Sequence, residues 1–177
     1  VELLDEMLLE NNQDMELPNS IEHTSVEFSP INPIFVTSKC GVPRCKCCEA
    51  IVTDSTYSDK TKTKIFAIES NLNCCSDNLI YLISCSKCKL QYVGQTGQTL
   101  KSRLNSHRSD VKCKKNTAVA IHFCGPCHSI SNLKIQPIVS ITHLLPIERN
   151  NIEKFWMKTL NTIYPQGFNY YPIVCNQ

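Results

Sequence analysis

Between residues 79 and 97 the apolar positions fall into two short runs, LIYLIS (79–84) and LQYVG (90–94), on either side of a tight CSKC. Short apolar, β-branched and tyrosine-bearing runs read as strands, and the CSKC between them has the size of a hairpin turn. Gly94 and Gly97 are expected to mark the end of the second strand. The pattern then changes period. In QTLKSRLNSHRSDVKCK (98–114), Leu100, Leu104 and Val111 share one helical face, with Arg103 and His107 four apart on a neighbouring one. TAVAIHF (117–123) predicts a second helix. LKIQPIVSITHLL (133–145) reads as a strand in which Pro137 favours an edge or an irregularity. ERNNIEKFWMKTLNTI (148–163) predicts a helix with Ile152, Phe155, Trp156 and Leu160 on its apolar side, and YPQGFNYYPIV (164–174) a turn-rich coil.

Upstream the pattern is weaker. VELLDEMLLE (1–10) allows a helical turn or two, and Pro18, Pro30 and Pro33 break the segment that follows. IFAIES (65–70) is a candidate short strand. The order β-β-α-α-β-α predicts an α+β fold, a small antiparallel sheet flanked by helices. The expected organisation is an acidic, mostly irregular linker (1–38), a cysteine-rich segment (39–76), a main domain (77–172) and a tail (173–177).

Charge adds a direction. The net charge is only +2. Residues 1–30, however, carry Glu2, Asp5, Glu6, Glu10, Asp14, Glu16, Glu22 and Glu27 with no Lys or Arg, the composition of a solvated tether. Residues 85–115 carry Lys87, Lys89, Lys101, Arg103, Arg108, Lys112, Lys114 and Lys115 against Asp110 alone. This is either a solvated helix face or a local contact for a polyanion. No run approaches the roughly 20 apolar residues of a membrane span, and no membrane partner is expected. A chain opening on Val1 without an initiator Met is expected to be a piece of a longer polypeptide.

Twelve cysteines in 177 residues require an account. Mixed Cys and His at short spacing suit tetrahedral zinc better than disulfides. Cys40, Cys45 and Cys48 supply three ligands in a compact loop; Cys74 or Cys75 can close the set, with Cys47 a further spare. Cys85 and Cys88 supply two more. Either His122 and His128 or Cys124 and Cys127 complete that set, and spacing leaves both open. Four protein ligands leave no open position, so both sites are structural. CGPC (124–127) is also a dithiol pattern, but it lies late in the chain, without the parallel-sheet pattern a thioredoxin-like fold needs. Cys113 and Cys175 have no assigned role.

In this order, LIY, YVG, a helix with Arg103 and His107, Glu153 in IEKFW, and GFN resemble the GIY-YIG nuclease superfamily. The first triplet departs from the usual one at Leu79 and keeps Tyr81. The CSKC insert, YVGQTGQTLKSRLNSHRSD, the pair His122 and His128, LNTIYPQGFN and the upstream CGVPRCKCC are similar to the endonuclease domain of Penelope-like retroelements. The resemblance spans residues 40–170 or so.

The resemblance implies a three-stranded antiparallel sheet flanked by helices, with a zinc-stapled cysteine-rich N-terminal extension. It implies a DNA endonuclease using one Mg2+ or Mn2+, nicking its target to leave a 3′-OH that primes reverse transcription. The partners would be DNA, an upstream reverse transcriptase domain of the same polypeptide and its template RNA, and the place of action the nucleus. Tyr81 would orient or deprotonate the attacking water, Tyr92 would hydrogen-bond water or phosphate, and Arg103 would clamp phosphate with His107 sharing a proton relay. Glu153, rather than Glu148, would hold the catalytic metal, near Asn169. The resemblance also favours the two histidines as partners of Cys85 and Cys88; Cys74 is taken as the fourth ligand of Cys40, Cys45 and Cys48 on register alone. Lys101, Arg108, Lys112, Lys114 and Lys115 would contact DNA. The alternative is an inactive zinc-stapled nucleic-acid-binding module, in which both tyrosines are half-buried strand residues.

Overall fold

The computed structural model describes residues 35–170. The helical turns of residues 1–10, the acidic linker up to residue 34 and Cys175 in the tail lie outside them. In chain order the elements are β1 (Thr37–Ser38), α1 (Cys47–Ala50), β2 (Thr56–Ser58), β3 (Ile65–Ala67), β4 (Leu72–Asn73), β5 (Leu79–Cys85), β6 (Gln91–Thr96), α2 (Leu100–Lys112), α3 (Ala118–Cys124), β7 (Leu133–Ser140) and α4 (Pro146–Thr159). β5, β6 and β7 form a three-stranded sheet in the order β6-β5-β7, both pairings antiparallel.

β5 is the spine because both its faces are covered. Its odd-numbered residues Leu79, Tyr81, Ile83 and Cys85 pack with Leu100 and Leu104 of α2, Val119 and Phe123 of α3, and Phe168. Its even-numbered Ile80 and Leu82 pack with Val93, Ile138, Met157 and Leu160 toward α4. This two-sided burial explains why LIYLI is continuously apolar rather than alternating. Truncating Ile83, which is fully buried, to alanine should cost about 2–5 kcal/mol.

The helices start where the sequence offers caps. The Thr99 hydroxyl accepts the Ser102 N–H, and the Thr117 hydroxyl accepts the Ala120 N–H. α4 ends as Asn161 adopts a left-handed φ of 52°, a stop residue not read from the sequence. β7 is an edge strand, and its register shifts where Pro137 faces Tyr81, which absorbs the missing N–H. The Val52 N–H donates to the Ile135 carbonyl at 2.9 Å and covers part of that edge.

Several expectations are corrected. Gly94 lies inside β6, opposite Tyr81, and does not end the strand. Phe155 is 43% exposed; the buried side of α4 carries Met157 in its place, with Trp156 partly covered. The strand expected over 65–70 stops at Ala67, and it pairs with β2, which the sequence reading missed. The β2–β3 hairpin is fixed to α4, since Tyr57 and Phe66 pack around Trp156 at ring distances of 5.3 and 5.1 Å.

Candidate active site and metal centres

β5 aims Tyr81 at α2, where it is fully buried. Arg103 and His107, one helical turn apart, both reach its hydroxyl. The Arg103 Nε–H donates to the Tyr81 oxygen at 2.9 Å, and that oxygen lies 2.9 Å from His107 Nε2. With the His107 proton on Nδ1, the Tyr81 O–H donates to Nε2 and all three groups have compatible roles. Nδ1 is then a buried atom without a partner. Burial and the Arg103 charge pull His107 down to about 3. Burial pushes the Tyr81 phenol far above its ordinary value, with Tyr92 adding to the rise and Arg103 opposing it.

Tyr92 stands on β6, stacked on Phe168 at 5.5 Å and edge-on to His107 at 6.2 Å. Burial raises its phenol too, with Glu153 adding and Arg103 opposing. Glu153 comes from α4 on the other side of the sheet and reaches round the β6 edge. It accepts the Gln95 backbone N–H at 3.0 Å and the Gln95 side-chain amide at 3.2 Å. The same amide donates to Asn150. Burial raises the Glu153 carboxyl, against the Gln95 donors and the Arg103 charge. Glu148 is occupied elsewhere, accepting the Leu145 N–H at 2.6 Å and capping α4. Tyr81, Tyr92, Arg103, His107 and Glu153 therefore converge around β6. The chemistry of the donors, one carboxylate held by an amide and open on its remaining lone pairs, fits a hard divalent cation.

Asn169 is buried and faces the backbone. Its Oδ1 accepts the Val93 N–H at 2.8 Å and the Thr162 hydroxyl at 2.6 Å, and its Nδ2 donates to the Val93 carbonyl at 2.8 Å. It fastens the turn after α4 to the outer edge of β6 and so sets Phe168 against Tyr92.

Two groups of side chains can hold a metal ion. Cys40, Cys45, Cys48 and Cys74 bring their sulfurs within 4.8 Å of one another, and the sulfurs of Cys85 and Cys88 and one ring nitrogen each of His122 and His128 are gathered within the same distance. The sulfurs of Cys48 lie 3.6 Å from both Cys40 and Cys74, far beyond a disulfide and close to the edge of about 3.8 Å that a tetrahedron with Zn–S of about 2.3 Å requires. Cys88 Sγ is 3.6 Å from His122 Nε2, again a tetrahedral edge. His128 Nδ1 is 2.9 Å from the Pro126 carbonyl, and its buried Nε2 has no partner, the arrangement of a ligand fixed from behind. Both groups fit zinc. Beside Cys85 and Cys88 it is the two histidines that lie within ligand distance, while Cys124 donates to the Val111 carbonyl and Cys127 is exposed. Of the spares, Cys47 packs in the core and Cys75 is exposed.

The basic run divides. Arg108 donates to the Lys46 carbonyl at 2.9 Å, and Lys115 pairs with Asp110 at 2.9 Å. Lys101 Nζ lies 3.6 Å from Cys75 Sγ, while Lys112 and Lys114 are exposed. Sequence reasoning missed Gln95, Asn150 and Phe168; only their positions after YVG, before Glu153 and before Asn169 hinted at them.

Residues 77–169, just over half of the chain, match the family model described as the GIY-YIG catalytic domain. No curated protein and no solved structure gives a significant match.

Proposed function

The chain belongs to the GIY-YIG family and carries a nuclease-type domain, and on that premise we propose that it is a divalent-metal-dependent DNA endonuclease that nicks one strand. The observation that carries the reading is the Arg103–Tyr81–His107 triad below β6 with Glu153 on the rim of the same strand. Glu153 would hold the divalent ion, Mg2+ or Mn2+, which when bound supplies charge neutralisation at the phosphate. Arg103 places its Nε on Tyr81, and its terminal nitrogens remain for Tyr92 and for a phosphate oxygen whose charge grows during attack.

The environment of the Arg103–Tyr81–His107 triad favours one of the two roles of Tyr81. Moving the Tyr81 proton to His107 runs from a phenol well above its ordinary pKa of about 10 to an imidazole at about 3. Burial opposes that transfer at both ends, raising the phenol and lowering the imidazole. The geometry therefore supports Tyr81 as the group that orients the water, with His107 fixing the direction of its O–H. Water adds at phosphorus, the 3′ oxygen departs, and the nick ends in a 3′-OH and a 5′-phosphate.

The cysteine-rich extension, the CSKC turn and the histidine pair support a place in a retroelement of the Penelope-like kind. There the 3′-OH would prime a reverse transcriptase domain upstream in the same polypeptide, copying its template RNA in the nucleus. The four-cysteine set and the set of two cysteines and two histidines would each hold one structural Zn2+. One observation favours a second reading, a module that binds nucleic acid without cutting: Tyr81 is 0% exposed.

Plasmid nicking by the full chain separates the two. Glu153→Ala and Arg103→Ala should each lower the rate by about 10²-fold or more while DNA binding persists. The nicked ends should be extended by a reverse transcriptase. Full activity in Glu153→Ala, or ends carrying a 3′-phosphate, would overturn the mechanism, and no nicking under any divalent metal would leave the binding module.

A further inference from the structure

The β2–β3 hairpin closes through SDKTKTKI (58–65). In this loop the threonines turn inward and the lysines outward. Thr61 and Thr63 donate to the buried Asp59 carboxylate, which also accepts the Lys64 N–H at 2.9 Å. Lys60, Lys62 and Lys64 are left exposed on a loop held from inside. Among the described residues the one ion pair is Lys115 with Asp110, so none of these lysines has a carboxylate partner. Lys60 donates to the Gln166 carbonyl at 2.5 Å and Lys64 to the Thr159 carbonyl at 3.3 Å, which brings the tip against the end of α4. Lys154 and Lys158, one turn apart, are exposed on that helix.

One lysine suffices to complement the C-terminal end of a helix. Lys60 and Lys64 at the end of α4, Lys62 on the same loop and Lys154 and Lys158 on the same helix gather positive charge that the Asp59 carboxylate offsets only in part, and a polyanion complements it. The loop is also rigid with respect to the site, because Tyr57, Phe66 and Trp156 lock the hairpin to the helix that carries Glu153.

We propose that the lysine tip of the β2–β3 hairpin, with Lys154 and Lys158, is a second grip on the DNA backbone beside the cut, on the α4 side of β6. It lies on the face of the sheet opposite to α2, where the basic run of the sequence sits. The duplex would thus be held on both sides of the edge strand that carries the site. DNA is the occupant rather than RNA because Lys154 and Lys158 stand on the helix that carries Glu153, so the strand they hold is the one offered to the nuclease site. The inference rests on the nuclease reading above.

The test uses the full chain with Glu153→Gln, so that the duplex stays intact, with and without the triple change Lys60→Ala, Lys62→Ala and Lys64→Ala. Affinity for a duplex oligonucleotide is measured against KCl concentration. Each lost phosphate contact removes about 0.9 from the slope of log K against log salt. The triple variant should show a slope shallower by about 2 to 3 and about tenfold weaker binding in low salt. The corresponding triple change to arginine should restore both, which excludes a folding defect. An unchanged slope overturns the proposal, as does a loss seen on single-stranded RNA of the same sequence but not on the duplex. If wild type nicks DNA and the slope is unchanged, the grip falls and the nuclease reading stands. If the slope falls but wild type never nicks, the nuclease reading falls and the grip stands.

Discussion

Gly94 sits directly across the sheet from Tyr81, and a β-carbon at position 94 would lie 2.5 Å from the Tyr81 hydroxyl oxygen and 2.8 Å from the Tyr92 ring. Glycine makes room for the tyrosine hydroxyl over β6. Gly94→Ala should therefore push Tyr81 off Arg103 and His107. The expected result is a stability loss of about 1–3 kcal/mol in urea unfolding, with nicking falling much further than the folded fraction does. Bound metal should be unchanged. Wild-type nicking in Gly94→Ala would show that the Tyr81 position is not needed.

Gln95 grips Glu153 through both its backbone and its side chain. Gln95→Ala leaves the backbone bond and removes the side-chain one. The half-saturating Mg2+ concentration for nicking should rise about 10-fold or more, with DNA affinity in the absence of Mg2+ unaltered. A drop in rate at saturating Mg2+ with no shift in its midpoint would place Gln95 outside the metal's support.

Metal analysis of the purified chain should find two zinc ions. Cys48→Ser and Cys85→Ser should each retain one, because they cut into different ligand sets. The double change Cys124→Ser and Cys127→Ser should retain both ions. Loss of zinc in that double variant would return the second site to the four-cysteine alternative.

His107 binds a proton more weakly folded, at about 3, than unfolded, at about 6.5. Between these values the unfolded chain holds more protons. The stabilisation is complete above about pH 6.5 and drains as pH falls toward 3, by up to about 1.4 kcal/mol per pH unit. His107→Gln keeps a polar partner for Tyr81 and cannot titrate. Its urea midpoint should be lower at pH 7 but should fall less steeply between pH 6 and 4 than that of wild type. Acid release of metal is common to both chains and drops out of the comparison. Parallel slopes would mean that His107 is solvated.

Much of the sheet and its hairpin was legible because apolar runs and the CSKC spacing are local signals. The candidate metal set at Cys85 and Cys88 was legible only to a choice of two, since two cysteines lie between the two histidines of HFCGPCH (122–128) and spacing cannot say which side chain turns inward. The helix α3 turns His122 inward, 3.6 Å from Cys88, and leaves Cys124 exposed. Gly94 was read as a strand end because glycine usually punctuates strands, whereas here the cross-strand tyrosine needs the space. The β2–β3 hairpin was missed because two three-residue strands around DKTKTK carry no periodicity; its stability comes from Trp156, some ninety residues away. Asn169 was noticed for its place in GFN, but its bonds to Val93 follow from a chain reversal that no window of sequence contains.

The alternation of β5 has a further consequence. Tyr81 and Cys85 stand four positions apart within β5, and both lie on the side of the sheet that packs against α2. Parity, rather than distance, keeps the tyrosine on the same side of the sheet as that candidate ligand. A one-residue insertion or deletion between them would keep the strand apolar, yet it would turn the tyrosine to the opposite side, away from Arg103. A change of two residues would preserve the side and only slide the tyrosine along the strand. Tyr92 has no such count, because Cys88 sits in the turn and β6 begins at Gln91. The CSKC turn is thus an origin from which the position of Tyr81 alone is counted.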